Sequence, residues 1–218
     1  MKTVAFLGRK GGSTKTSCSH LLAMAAGLAG WAPVMVQTDV RTATPPASVE
    51  GRPYWLFGLQ ATAPDQAAAA MVKIMEEAAK TEGSLVVLDG GANRDAVDEA
   101  LAGLADLVIV PVTDGPEDLE VAVDDRRRLM AHLKASKRRT PVKLLLSRWP
   151  GRKDEFERFT RQEYVASFLR DTEGARLATV VPRMLSTKAL LDHTAPESGP
   201  AVRKVGRALL DEVTKLLL

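Results

Sequence analysis

Two lysines and two glycines in the run Gly8-Arg9-Lys10-Gly11-Gly12-Ser13-Thr14-Lys15-Thr16-Ser17 are suited to phosphate chemistry. Gly11 and Gly12 allow a bend whose backbone N–H groups turn inward toward phosphate oxygens. A helix starting just after the bend adds its positive N-terminal end. Lys15 then reaches the β- and γ-phosphates of a nucleoside triphosphate, and the Thr16 hydroxyl ligates Mg²⁺. The apolar stretch at 3–7 and the Ala- and Leu-rich pattern that follows supply the required strand–loop–helix setting. The match to G-x-x-x-x-G-K-[ST] is partial, because Arg9 and Thr14 stand where that pattern has glycines. The expectation is ATP with Mg²⁺, held by Gly11, Gly12, Ser13, Thr14, Lys15, Thr16 and Ser17.

A second element of such a site is a carboxylate at the end of a buried strand. Leu85-Val86-Val87-Leu88-Asp89-Gly90-Gly91 is four apolar residues followed by an aspartate. At the C-terminal end of its strand, Asp89 can hold Mg²⁺ directly or through water. The glycines after it give a backbone able to respond to the γ-phosphate.

Lys10, five residues ahead of Lys15, makes the loop resemble the deviant Walker A signature K-G-G-x-x-K-[ST] of the ParA/MinD superfamily of ATPases. The resemblance implies two ATP molecules sandwiched between two subunits. Lys10 would then reach across to the partner's phosphates, couple ATP binding to dimerisation and stabilise charge during phosphoryl transfer. It also implies a D-x-D-P motif after the second strand, where this sequence has Gln37-Thr38-Asp39-Val40. Asp39 matches the second aspartate, which in relatives orients the attacking water near Mg²⁺. Neutral Gln37 replaces the first, so slow hydrolysis is expected without a partner. Pro111-Val112-Thr113 is similar to a strand end of small ParA proteins. By the same resemblance the adenine pocket falls on later strand ends, at Ser147-Arg148 and Val181-Pro182-Arg183.

Within the superfamily the chain looks most like the short, ParF-like proteins of plasmid partition, because its first strand begins at the N-terminus. The resemblance then implies an ATP-bound homodimer that binds DNA non-specifically. It further implies a centromere-bound ParB/ParG-type partner that stimulates hydrolysis. Arg183, Lys188, Arg203, Lys204 and Arg207 are the residues expected to meet DNA phosphates. In the last helix Val202, Val205, Leu209, Val213 and Leu216 form one apolar stripe, and Arg203, Lys204 and Arg207 lie opposite. Basic residues also gather at Lys137-Arg138-Arg139 and at Arg126-Arg127-Arg128, the latter reading as a solvated helix face.

Other readings of the same scaffold remain open. These are a conjugation or DNA-transfer accessory ATPase, a MinD-like membrane-cycling ATPase, and a module that binds ATP but hardly hydrolyses it. A dethiobiotin-synthetase-like ligase needs a second substrate pocket, for which no residues stand out. A nitrogenase-reductase-like role needs more than the one cysteine, Cys18, and a bacterial tyrosine kinase needs more than Tyr54 and Tyr164.

The elements that must position these residues follow from apolar periodicity. Short runs at 3–7, 33–37, 85–88, 107–112, 142–146 and 177–181 read as strands covered on both faces, the parallel case. Helical patterns lie at 16–28, 67–80, 117–137, 153–169 and 202–217, and 41–64 reads as an irregular loop. This alternation predicts an α/β doubly wound, mostly parallel sheet with helices on both faces, in a single domain spanning 1–218. With 45% hydrophobic and 26% charged residues, the composition is that of a globular protein, and a net charge of +3 permits a polyanionic partner. Cys18 excludes an internal disulfide and reads as a small buried helix residue. No signal-peptide layout or membrane-length apolar run is present, so a cytoplasmic protein is expected, and the resemblance to ParA proteins implies association with the nucleoid.

Overall fold

The computed structural model describes residues 1–48, 52–60, 63–183 and 199–218. Eight strands form one sheet: β1 (Lys2–Phe6), β2 (Ala32–Gln37), β3 (Asp39–Ser48), β4 (Trp55–Gln60), β5 (Ser84–Asp89), β6 (Leu107–Val112), β7 (Val142–Trp149) and β8 (Arg176–Pro182). Their order is β3-β4-β2-β5-β1-β6-β7-β8. All neighbours run parallel except β3 and β4, which pair antiparallel. Seven helices complete the described chain: α1 (Lys15–Leu28), α2 (Pro64–Ala78), α3 (Asp95–Ala102), α4 (Pro116–Ala135), α5 (Lys153–Thr160), α6 (Glu163–Asp171) and α7 (Pro200–Leu217).

Every residue of β5 and β6 is buried, which is why both read as continuous apolar runs rather than alternating ones. The pleat sends successive side chains to opposite faces. Val4 and Phe6 of β1, with Leu85 and Val87 of β5, face α1 and α7. Ala5 and Leu7, with Val86 and Leu88, face α2, α3 and α4. Two apolar layers thus clamp the central strands, and the strand ends carrying the loops of interest are fixed by the core.

The irregular loop expected at 41–64 is corrected by the structure. Within it β3 and β4 form an antiparallel pair with register shifts. Pro45 and Pro46 argue against a central strand, but β3 is the sheet's edge, where a missing N–H costs nothing. The long helix expected at 153–169 is instead two short ones, α5 and α6, interrupted at 161–162.

At the end of β7 an aromatic cluster packs the strand against α5 and α6. Trp149 is fully buried, donates from Nε1 to the Val112 carbonyl at 3.0 Å and meets the Phe159 ring edge-on at 5.1 Å. The pairing fixes the β6 and β7 ends relative to each other.

Candidate functional site

The connections leaving β1 and β5 go to opposite sides of the sheet, although the two strands are neighbours. That is a topological switch point, and the crevice above the carboxyl ends of such strands is where α/β sheets bind ligands. The phosphate loop, Asp89 and the chain leading into Asp39 all meet there.

The loop from Gly8 to Thr14 is anchored from below by two carboxylates that the sequence reading did not single out. Asp98 of α3 accepts from the Gly8 N–H at 3.2 Å. Asp125 of α4 accepts from the Arg9 N–H at 2.8 Å and pairs with Arg9 Nε at 2.5 Å. The ion pair explains Arg9 at a position where the pattern has glycine. Its side chain is held on a buried carboxylate, which also raises its guanidinium pKa through that hydrogen bond. Asp98 has no exposed surface, and burial pushes its carboxyl up to about 7. Both acids sit in helical stretches whose sequence resembles an ordinary solvated face, so nothing in their spacing singled them out.

At the bend, Gly12 has φ 74. The helix N-cap, Thr14, is also left-handed at φ 69, in the position where the pattern has glycine. Its Oγ1 lies 2.6 Å from Ser147 Oγ and donates to the Ser13 carbonyl at 2.5 Å. Ser147, expected at the adenine, is 1% exposed and tucked under the loop, where its hydroxyl also lies 3.4 Å from Cys18 Sγ. Cys18 is fully buried on α1 as expected, and burial pushes its thiol up to about 11.

Lys15 is buried and curls over the loop, donating to the Lys10 carbonyl at 2.9 Å, with Ser13 Oγ at 3.4 Å. Ser13 Oγ donates to the same carbonyl at 3.0 Å. Thr16 and Ser17 lie half-buried in the first turn of α1, and Gly11 and Gly12 are exposed. Lys10 itself is ion-paired with Asp118 in the first turn of α4, and Glu117 lies 3.9 Å away. Thr113 Oγ1 donates to the other Asp118 oxygen.

Asp89 ends β5, nearly buried, in register with Gln37 of β2. Gly90 is required next to it: a Cβ there would lie 2.8 Å from Leu7 Cδ2 and 2.9 Å from the Phe6 carbonyl. Thr38 donates both its N–H and its Oγ1 to the Asp89 carbonyl, at 3.0 and 2.9 Å. Asp39 follows directly as the first residue of β3. A Thr16 hydroxyl and an Asp89 carboxylate are hard oxygen donors of the kind Mg²⁺ takes alongside phosphate and water. Among the described residues no cluster of three or more His, Cys, Asp or Glu could hold a metal by protein ligands alone. This donor set fits a cation that arrives with a nucleotide.

Among the later strand ends, Ser147 is in register with Val181, and Trp149 with Pro182, so the residues expected at the base do lie on neighbouring strands. Arg148 is exposed at φ 63. Arg183 donates its N–H to the Trp149 carbonyl and pairs with Asp114 at 2.7 Å. Of the residues expected at DNA, Arg203 and Lys204 are exposed on α7, and Arg207 pairs with Asp211 at 2.8 Å. Lys188 lies outside the described residues.

Neither a sequence-family model nor a curated protein matches the chain. Solved structures do. The cell division ATPase MinD of Pyrococcus furiosus aligns over 99% of both chains at 13% identity, with a TM-score of 0.70. A Borrelia burgdorferi protein assigned to plasmid partition and bound to AMPPNP aligns over 98% of both at 11% identity and 0.69. A cobyrinic acid a,c-diamide synthase of Mycobacterium smegmatis, with ADP and magnesium, covers 98% of this chain and 96% of its own at 14% identity and 0.65. The last of these is a biosynthetic enzyme, so the likeness speaks to architecture. The chain has the α/β fold shared by the ParA/MinD ATPases.

Proposed function

We propose that the protein is a Mg²⁺- and ATP-dependent dimerising ATPase of the ParA type that acts in DNA segregation. The observation that carries this reading is the pair Lys10 and Lys15 on one anchored loop at the switch point, with Asp89 at the adjoining strand end. Lys15 serves the phosphates of its own nucleotide, and Lys10 serves those across a dimer interface. Mg²⁺ arriving with ATP supplies charge neutralisation on the phosphates, and Thr16 and Asp89 are the residues to hold it. Asp39 positions the attacking water, and the neutral Gln37 beside Asp89 leaves basal turnover slow. These roles for Lys10, Lys15, Thr16, Asp39 and Asp89 rest on the loop's signature and on placement at the strand ends.

Non-specific DNA binding is supported by charge. Lys134, Lys137, Arg138 and Arg139 are all exposed at the end of α4 and the turn after it. None of the four pairs with an acidic group among the described residues, and neither does Lys204 on α7. Arg183 and Arg207, by contrast, already have carboxylate partners. Phosphate contacts therefore fall first to the unpaired cations, with a centromere-bound protein as the partner that speeds hydrolysis.

The membrane-cycling reading is disfavoured by α7. Val202, Leu209, Leu210, Val213 and Leu217 are buried in the layer shared with α1, so the apolar stripe is already covered. No helix among the described residues is long and apolar enough to cross a membrane. Retention on non-specific duplex DNA and on anionic liposomes, each with ATP, ADP or no nucleotide, tests the reading. ATP-dependent retention on DNA alone supports it; ATP-dependent retention on liposomes alone contradicts it.

A further inference from the structure

Arg94 lies five residues after Asp89 and caps the N-terminus of α3. Half-buried rather than solvated, its Nη1 donates to the Thr38 carbonyl. Thr38 is the residue whose N–H and hydroxyl both bind the Asp89 carbonyl, so it is held from two directions. The residue before Arg94, Asn93, donates its N–H to the Arg9 carbonyl at 2.9 Å. The loop from 90 to 94 is thereby tied at one residue to the phosphate loop and at the next to the chain entering Asp39.

The Thr38 carbonyl and the Asp39 N–H belong to one planar peptide unit, which also contains the Asp39 Cα. A guanidinium fixed to that carbonyl therefore fixes the plane from which Asp39 departs. The bond has a cationic donor, which makes it roughly twice as strong as a neutral one. We propose that Arg94 is a positioning residue for ATP hydrolysis. It holds the Thr38–Asp39 peptide unit from which Asp39 departs and couples that unit to the loop after β5. The inference rests on the ATPase reading above. It gives the chain a cationic group near a strand end where the family pattern's first aspartate is replaced by neutral Gln37.

The test compares wild type, Arg94→Ala and Arg94→Lys in steady-state ATP hydrolysis and in equilibrium binding of a fluorescent ATP analogue. Each is repeated with millimolar guanidinium ion. A misplaced catalytic group costs turnover rather than ground-state binding, so kcat should fall by about tenfold or more in Arg94→Ala while analogue affinity stays within about twofold. Arg94→Lys, or guanidinium added to Arg94→Ala, should restore part of the lost kcat without changing affinity. Equal kcat in wild type and Arg94→Ala overturns the inference and leaves the ATPase reading standing. A joint loss of affinity, kcat and melting temperature that neither lysine nor guanidinium relieves also overturns it. A wild-type protein that turns over no ATP overturns the ATPase reading and the inference with it.

Discussion

Lys10, the lysine assigned to the partner's phosphates, is held within its own subunit by an ion pair with Asp118. Asp118 is itself fixed by the Thr113 hydroxyl at the end of β6, so the carboxylate is pre-set to receive the lysine. For Lys10 to cross a dimer interface this pair must open, and the pair therefore favours the monomer. Asp118→Ala should lower the ATP concentration needed for half-maximal dimer by severalfold, because it removes a contact made only in the monomeric state. Sedimentation velocity over an ATP series measures it, and an unshifted midpoint would remove Asp118 from the account.

Thr14 occupies a left-handed backbone position that a β-branched residue fills at a cost of about 1–2 kcal/mol. The hydrogen bond to Ser147 offsets part of that cost. Thr14→Ala loses the hydroxyl and keeps the strained backbone, whereas Thr14→Gly loses the hydroxyl and relieves it. Thr14→Gly should be more stable than Thr14→Ala by about 1 kcal/mol in urea melts, the excess being the backbone contribution. Equal midpoints for the two variants would mean that the loop relaxes around alanine.

Asp98 gives the fold a specific pH dependence. Its carboxyl faces the Gly8 N–H and Lys15 from the phosphate loop, and Arg128 and Asp125 from α4, and burial outweighs their combined effect. The folded chain therefore binds its proton more tightly than the unfolded chain, in which the ordinary value is 3.8. The contribution is fully present below pH 3.8 and is lost as the pH rises through about 7. A change of that size is worth about 4 kcal/mol at most. Asp98→Asn keeps an acceptor for the Gly8 N–H and cannot ionise, so its stability should exceed that of wild type at pH 8 and converge with it near pH 4. Urea denaturation at the two pH values checks this, and a constant difference between the proteins would contradict it.

The parts of the site that were legible in the sequence are those whose spacing is local. The two lysines, the glycine bend and the apolar run ending in Asp89 each lie within ten consecutive residues, and the structure brings the loop and Asp89 to neighbouring strand ends. What escaped depends on contacts far apart in the chain. Asp125 reaches Arg9 across 116 positions and Asp98 reaches Gly8 across 90. On their own helices both look like routine surface acids. Helix α3 was missed because eight residues rich in Asp and Ala carry too short an apolar pattern to be read. The hairpin of β3 and β4 was missed because Pro45 and Pro46 signal a loop, and only the edge position makes them compatible with a strand. The hydrogen bond between Ser147 and Thr14 was not legible either, because it joins a strand end to the helix cap across 133 positions.

The central claim is that Lys15 binds nucleotide and Lys10 converts that binding into a dimer. Sedimentation velocity of wild type, Lys10→Ala and Lys15→Ala, each with ATP and with ADP, tests it most directly when paired with nucleotide binding on the same samples. Expected are a wild-type dimer with ATP alone, a Lys10→Ala protein that binds ATP but stays monomeric, and a Lys15→Ala protein that binds neither nucleotide. A Lys10→Ala protein that dimerises with ATP as wild type does would contradict it.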